Sequence, residues 1–120
     1  MRSLVLALLL LAPAPPEARD RQSDRQFFEQ RIRPILRDSC IKCHGEKATR
    51  NNLDLTSRAG LLRGGDHGPA VVPGRPERSL LIRAVHYQGD FQMPPKQKLD
   101  SKQIADLVEW VKRGAPWPTP

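Results

Sequence analysis

The sequence predicts an all-α domain of three to five short helices separated by long loops. Three observations predict it. Apolar residues recur three and four apart in separate stretches, as the buried face of a helix requires. Capping residues stand at the ends of those stretches. Twelve prolines and eight glycines supply breakers between them. With 120 residues the chain has room for one small domain. Aromatic residues are only 5%, so the core is marginal by itself.

The N-terminus reads as a signal peptide over residues 1–18. Arg2 gives the positive start, and Leu4 to Ala12 form an unbroken apolar core. Ala12-Pro13-Ala14 has the small-x-small form of a cleavage site, and cleavage after Ala18 is the alternative. A short membrane-surface anchor is the competing reading of the same segment. No apolar run approaches the roughly 20 residues of a transmembrane helix. The expected location is therefore periplasmic or otherwise exported.

Residues 19–23 read as a flexible, mixed-charge leader, and residues 24–115 as the folded domain. Asp24 is placed to cap a first helix, in which Phe27, Phe28, Ile32, Ile35 and Leu36 recur at helical spacing. Pro34 interrupts that pattern, which calls for a kink or a fresh helix start nearby. Leu53 and Leu55 alternate around Asp54 and suit a short extended piece. Thr56 is placed to cap a helix from Ser57 to Arg63, which Gly64-Gly65 closes. Pro76 starts another helix, with Leu80, Leu81, Ala84 and Val85 on its buried side.

Residues 87–99 return to loop. The last helix has the fullest signature. Asp100 caps it, Gln103 completes a capping box, and Ile104, Leu107, Val108 and Val111 form its stripe, with Trp110 beside it. Gly114 ends it, and residues 116–120 form a proline-rich extended tail.

One pentapeptide, Cys40-Ile41-Lys42-Cys43-His44, carries chemistry. Two cysteines three apart, followed at once by histidine, are the spacing of c-type haem attachment. On a helix the two sulfurs share a face and each can bond one porphyrin vinyl group, while His44 reaches the iron from the proximal side. A redox dithiol or half a zinc site are the alternatives. Zinc would need two more ligands, yet no other cysteine exists, and His67 and His86 are too far apart for a zinc-finger pair. The strand–helix alternation expected around a thioredoxin-type motif is absent. Haem c, one per chain and covalent, is the expected cofactor. Its apolar surface would supplement the small core.

A second iron ligand is also legible. After the initiator, Met93 is the only methionine. It stands in a loop and is backed by Pro94 and Pro95, which stiffen the backbone. Thioether opposite imidazole is the axial pairing that raises the haem potential for electron transfer. His86 and His67 are the competing ligands.

The formal charge is +7, and it stays there without residues 1–18, whose charged side chains are Arg2 and Glu17. A basic exported protein steers toward acidic partners or anionic surfaces. Redox proteins with acidic docking faces are the expected partners. No helix-turn-helix or finger pattern points to nucleic acid.

The ordered motifs resemble the planctomycete-type cytochrome c domain. The likeness runs from Phe27-Phe28 and Ile32-Arg33-Pro34-Ile35-Leu36 into Cys40-x-x-Cys43-His44-Gly45. It continues through Leu53-Asp54-Leu55, Arg58-Ala59-Gly60-Leu61-Leu62, Gly64-Gly65-Asp66 and Gly68-Pro69-Ala70. Val72-Pro73-Gly74, Ser79-Leu80-Leu81-Ile82, Met93-Pro94-Pro95 and Trp110 with Gly114-Ala115-Pro116-Trp117 complete it. The resemblance implies a class I cytochrome c fold, with Cys40 and Cys43 as thioether sites and His44 and Met93 as axial ligands. Three positions depart from the pattern: Asn52 where glycine is common, His67 for a small residue, and Arg75 for an acidic or polar cap.

The expected function is that of an exported single-electron carrier and not an enzyme, since no set of acid, base or nucleophile accompanies the motif. The alternative is an electron-relay module of an exported dehydrogenase. A haem enzyme or gas sensor would need an open sixth position, against an intact Met93.

Overall fold

The structure is a computed structural model that describes residues 3–5, 7–47 and 49–119. Met1, Arg2 and Leu6 of the expected signal segment, and Pro120 of the tail, lie outside the described residues. Helices α1 (Pro16–Phe27), α2 (Arg33–Ser39), α3 (Arg58–Arg63), α4 (Leu80–Val85) and α5 (Ser101–Lys112) follow in order. Among the described residues there is no strand, only isolated bridges at His44–Thr49 and Gly65–Gly68. The all-α expectation therefore holds. No helix among them is long and apolar enough to cross a membrane.

The first helix begins earlier than its periodicity indicates. Residues 19–23 are helical, and Asp24 lies inside α1 instead of capping it. The chain from Pro16 to Phe27 contains no internal breaker, and Pro16 occupies the first helical position, where its missing N–H costs nothing. Asp24 instead faces Arg113 at 3.5 Å. The α1 residues are all at least partly exposed, so apolar periodicity carries no trace of this helix.

Pro34 acts as expected, and the structure shows how. Residues Phe28–Ile32 form one π-helical turn, after which α2 restarts with Pro34 in its first turn. The amide of Arg33 donates to the carbonyl of Phe28, five residues back. Pro34 has no N–H, and its ring crowds the preceding turn, so the wider turn relieves the ladder there. The bulge also sets Phe28 and Ile32 fully into the core.

That core joins Phe28, Ile32, Ile35 and Leu36 to Leu61, to Leu81, Ile82 and Val85 of α4, and to Ile104, Leu107 and Val111 of α5. Trp110, placed beside the α5 stripe by sequence, is completely buried, whereas Val108 is half-buried. Trp110 lies three residues past Leu107 and six past Ile104, so it shares their face. Its ring sits 6.1 Å from Phe28, and Trp117 from the tail adds a third ring 4.7 Å from Phe28. The Trp110 indole N–H donates to the Pro116 carbonyl at 2.9 Å, and Arg58 donates to the carbonyls of Gly114 and Ala115. The helical capping box of Asp100 and Gln103 is present as expected.

Two caps differ from expectation. Ser57, not Thr56, caps α3, with its hydroxyl accepting from the Gly60 amide at 3.0 Å. Thr56 is engaged by Asp54, whose carboxylate accepts from both its amide and its hydroxyl. Pro76 opens only a 3-10 turn, Pro76–Arg78, and α4 starts at Leu80. Ser79 divides the two. Its buried hydroxyl accepts from the Val72 amide and donates to the Arg75 carbonyl, which diverts the chain before α4.

Candidate functional site

The pentapeptide does not lie on an α-helix. Helix α2 ends at Ser39, and Cys40 to Cys43 form consecutive turns directly after it. The His44 amide still bonds the Cys40 carbonyl at 3.1 Å, four residues back, so the turn keeps helix-like spacing. The Cys40 and Ile41 amides both point to the Leu36 carbonyl, at 3.0 Å each, which anchors the motif to the end of α2. The shared-face relation therefore survives through turn bonding.

Both cysteines are free and half-buried. Burial pushes the Cys40 thiol up from 9.0 to about 11, so it stays neutral in ordinary conditions. A thioether, which carries no proton, suits that apolar wall.

His44 is buried, and its Nδ1 lies 3.1 Å from the Arg50 carbonyl. A carbonyl can only accept, so Nδ1 carries the proton and donates. Nε2 is then left with its lone pair, the form a metal takes. Sequence reasoning did not find this acceptor, because a main-chain carbonyl has no signature in residue type. The short 3-10 turn Arg50–Asn52 positions it.

Cavities on the two sides of His44 share His44, Leu81 and Met93 in their walls, so they meet there as one slot. One end holds about 600 Å³ of empty space, counting the part open to solvent, between Leu53, Ala70, Leu80, Leu81, Ala84 and Phe91. The other end is lined by Cys40, Cys43, Val85, Pro94 and Pro95. The four sequence-predicted residues, Cys40, Cys43, His44 and Met93, thus line one predominantly apolar slot. Helix α4 supplies its floor with Leu81, Ala84 and Val85, three of the residues placed on its buried side by periodicity.

Met93 is held by its backbone. Its amide donates to the Ala84 carbonyl at 3.0 Å, and the Tyr87 hydroxyl donates to the carbonyl of Pro94. The loop thereby hangs from α4 at Ala84 and from the turn after it at Tyr87. His86 lies elsewhere: its Nδ1 bonds the Ile82 carbonyl at 2.8 Å, and it lines a surface groove with Ile104, Val108 and Lys112. His67 is at the slot but exposed, stacked on Phe91 with ring centroids 4.5 Å apart.

Among the described residues no three His, Cys, Asp or Glu side chains converge, so the cysteine pair has no ligands to complete a zinc site. The donor set of two thiols, a correctly polarised imidazole and a thioether around an apolar slot fits haem c. Residues 40–97 match the Planctomycete cytochrome C family. The chain carries a planctomycete-type cytochrome c domain. Among curated proteins and among solved structures, none matches the chain.

The cytochrome c domain tolerates its Asn52 for a physical reason. Asn51 and Asn52 both have φ of 58°, the left-handed region where glycine is favoured and asparagine is the next best residue. Asn52 also donates from Nδ2 to Asp66 at 2.7 Å, and the Asp66 amide bonds the Asn51 carbonyl at 2.9 Å. These bonds clasp the 3-10 turn to the loop carrying His67. A Cβ on Gly65 would stand 2.3 Å from the Asn51 carbonyl oxygen, which explains that glycine. Asn52→Ala should cost about 1–2 kcal/mol from backbone strain alone, and more with the clasp lost. Asn52→Gly should cost less. Urea unfolding of the three haem-loaded proteins would reverse this account if alanine proved the milder change.

Proposed function

We propose that this chain is an exported c-type cytochrome that holds one haem covalently and transfers single electrons. The observation that carries the reading is the convergence of Cys40, Cys43, His44 and Met93 on one apolar slot. The arrangement we assign is the class I cytochrome c fold, with the helices wrapped around the cofactor.

Cys40 and Cys43 would hold the porphyrin through thioethers, with the apolar side chains of α4 and Leu53 against it. His44 would bind iron through Nε2, oriented by its bond to the Arg50 carbonyl. Met93 would bind from the opposite side, its position set by the Ala84 and Tyr87 bonds. When bound, haem supplies the reversible one-electron couple. The chain's part is to fix two ligands and exclude water from the slot, which limits reorganisation between oxidation states. Electron donors and acceptors would be other proteins, consistent with a basic chain of formal charge +7.

The test is acid–organic extraction of protein exported from cells with c-type maturation machinery. Haem should stay with the polypeptide and give the haemochrome spectrum of saturated, thioether-linked side chains. Complete extraction of haem into the organic phase would end the covalent reading.

A further inference from the structure

Several arginines are engaged within the fold. Arg31 faces Asp106, Arg33 faces Glu29, and Arg113 faces Asp24 and Glu109. Four other cations are distributed differently. Lys42, Arg50, Lys96 and Lys98 are exposed and line one groove. None of them has a carboxylate partner within 4.0 Å among the described residues. The groove also holds two carboxylates, but both are committed: Asp38 faces Arg37 at 2.9 Å, and Asp100 accepts the Gln103 amide at 2.8 Å.

The groove abuts the slot. Cys43, Arg50, Pro94 and Pro95 belong to the walls of both. Arg50 is therefore at once the residue whose carbonyl orients His44 and a cation on the outer surface. Four cations against two carboxylates leave the concave surface with an excess of positive charge, which steers oppositely charged macromolecules to it. Anionic lipid is the weaker match. The large exposed apolar side chains among the described residues are confined to Leu4, Val5 and Leu8 to Leu11, and none borders the groove to insert into a bilayer.

We propose that this groove docks an acidic face of a protein partner, with Arg50 as the residue that joins the docking surface to the haem slot. The proposal rests on the haem-carrier reading. Arginine suits that position because its planar fork takes a carboxylate through two bonds, whereas the lysines act as point charges around it.

The test uses haem-loaded protein and poly-L-glutamate as the acidic probe, at low and at physiological ionic strength. Wild type should bind at low salt and weaken as salt rises. Combining Lys42→Glu, Lys96→Glu and Lys98→Glu should lower affinity by at least about tenfold. Arg50→Gln, which removes the positive charge where the groove meets the slot, should lower it severalfold. A control reversal away from the groove, Arg78→Glu with Arg83→Glu and Lys112→Glu, should change affinity by less than about twofold. Equal losses in the groove and control variants would reduce the effect to net charge and overturn the proposal. So would groove-dependent binding to phosphatidylglycerol vesicles without retention of polyglutamate. Covalent haem is measured on the same samples by in-gel peroxidase staining. Its absence from wild type would sink the carrier reading, separately from the binding result.

Discussion

Replacing Cys40 and Cys43 together by alanine is expected to abolish covalent haem, from one per chain to none. The two sulfurs line the same end of the slot, and no other cysteine exists to replace them. Each single variant should retain one thioether at most, with the pyridine haemochrome maximum displaced toward that of a porphyrin with an unsaturated vinyl group. The double variant should also lose cooperative structure. Without the porphyrin, the slot faces of Leu53, Leu81, Ala84 and Val85 have nothing apolar to cover them. Binding of a group to the native state alone stabilises that state, and removing it reverses the gain. Circular dichroism and limited proteolysis of wild type and double variant would check this. A double variant that keeps its haem through denaturation would overturn the attachment site. One that folds cooperatively without haem would overturn only the dependence of the fold on it.

Met93→Ala is expected to open a coordination position at the iron. Carbon monoxide should then bind the reduced variant without denaturation, and the far-red charge-transfer band of methionine-ligated ferric haem should vanish. Met93→His should keep the iron six-coordinate but lower its potential, because imidazole favours ferrous iron less than a thioether does. The Met93 loop is tied to Ala84 and Tyr87 independently of the side chain, so the loop should keep its place in both variants. His86→Ala should leave spectrum and potential nearly unchanged, since His86 is committed to the Ile82 carbonyl and borders a different groove. The reverse result, a silent Met93→Ala and a disruptive His86→Ala, would transfer the sixth ligand to His86 and leave the carrier function standing. A silent pair would direct attention to His67, which lies at the slot against Phe91.

The members of the candidate site were legible in residue type. The Cys40–His44 pentapeptide, the lone Met93 with its prolines, and the capping box of α5 each announce themselves, because a bond or a cap needs particular atoms at a fixed spacing. Helix α4 and its slot-facing residues were legible too, since burial on one face leaves a period. Other features have no such trace. Helix α1 is polar over its residues 19–26, so no hydrophobic period marks that stretch. The burial of Trp110 depends on where Phe28 and Trp117 arrive from distant parts of the chain. The proton on His44 Nδ1 is fixed by a backbone carbonyl, and every residue except for its side chain offers the same one. The grouping of Lys42 and Arg50 with Lys96 and Lys98 requires the attachment loop to meet the methionine loop across the slot. Sequence by itself determined which side chains bring thiol, imidazole and thioether groups to the candidate site, because that is a property of residue type. Only the tertiary structure decided which groups surround them, because carbonyl direction and charge clustering are set by how separate segments pack.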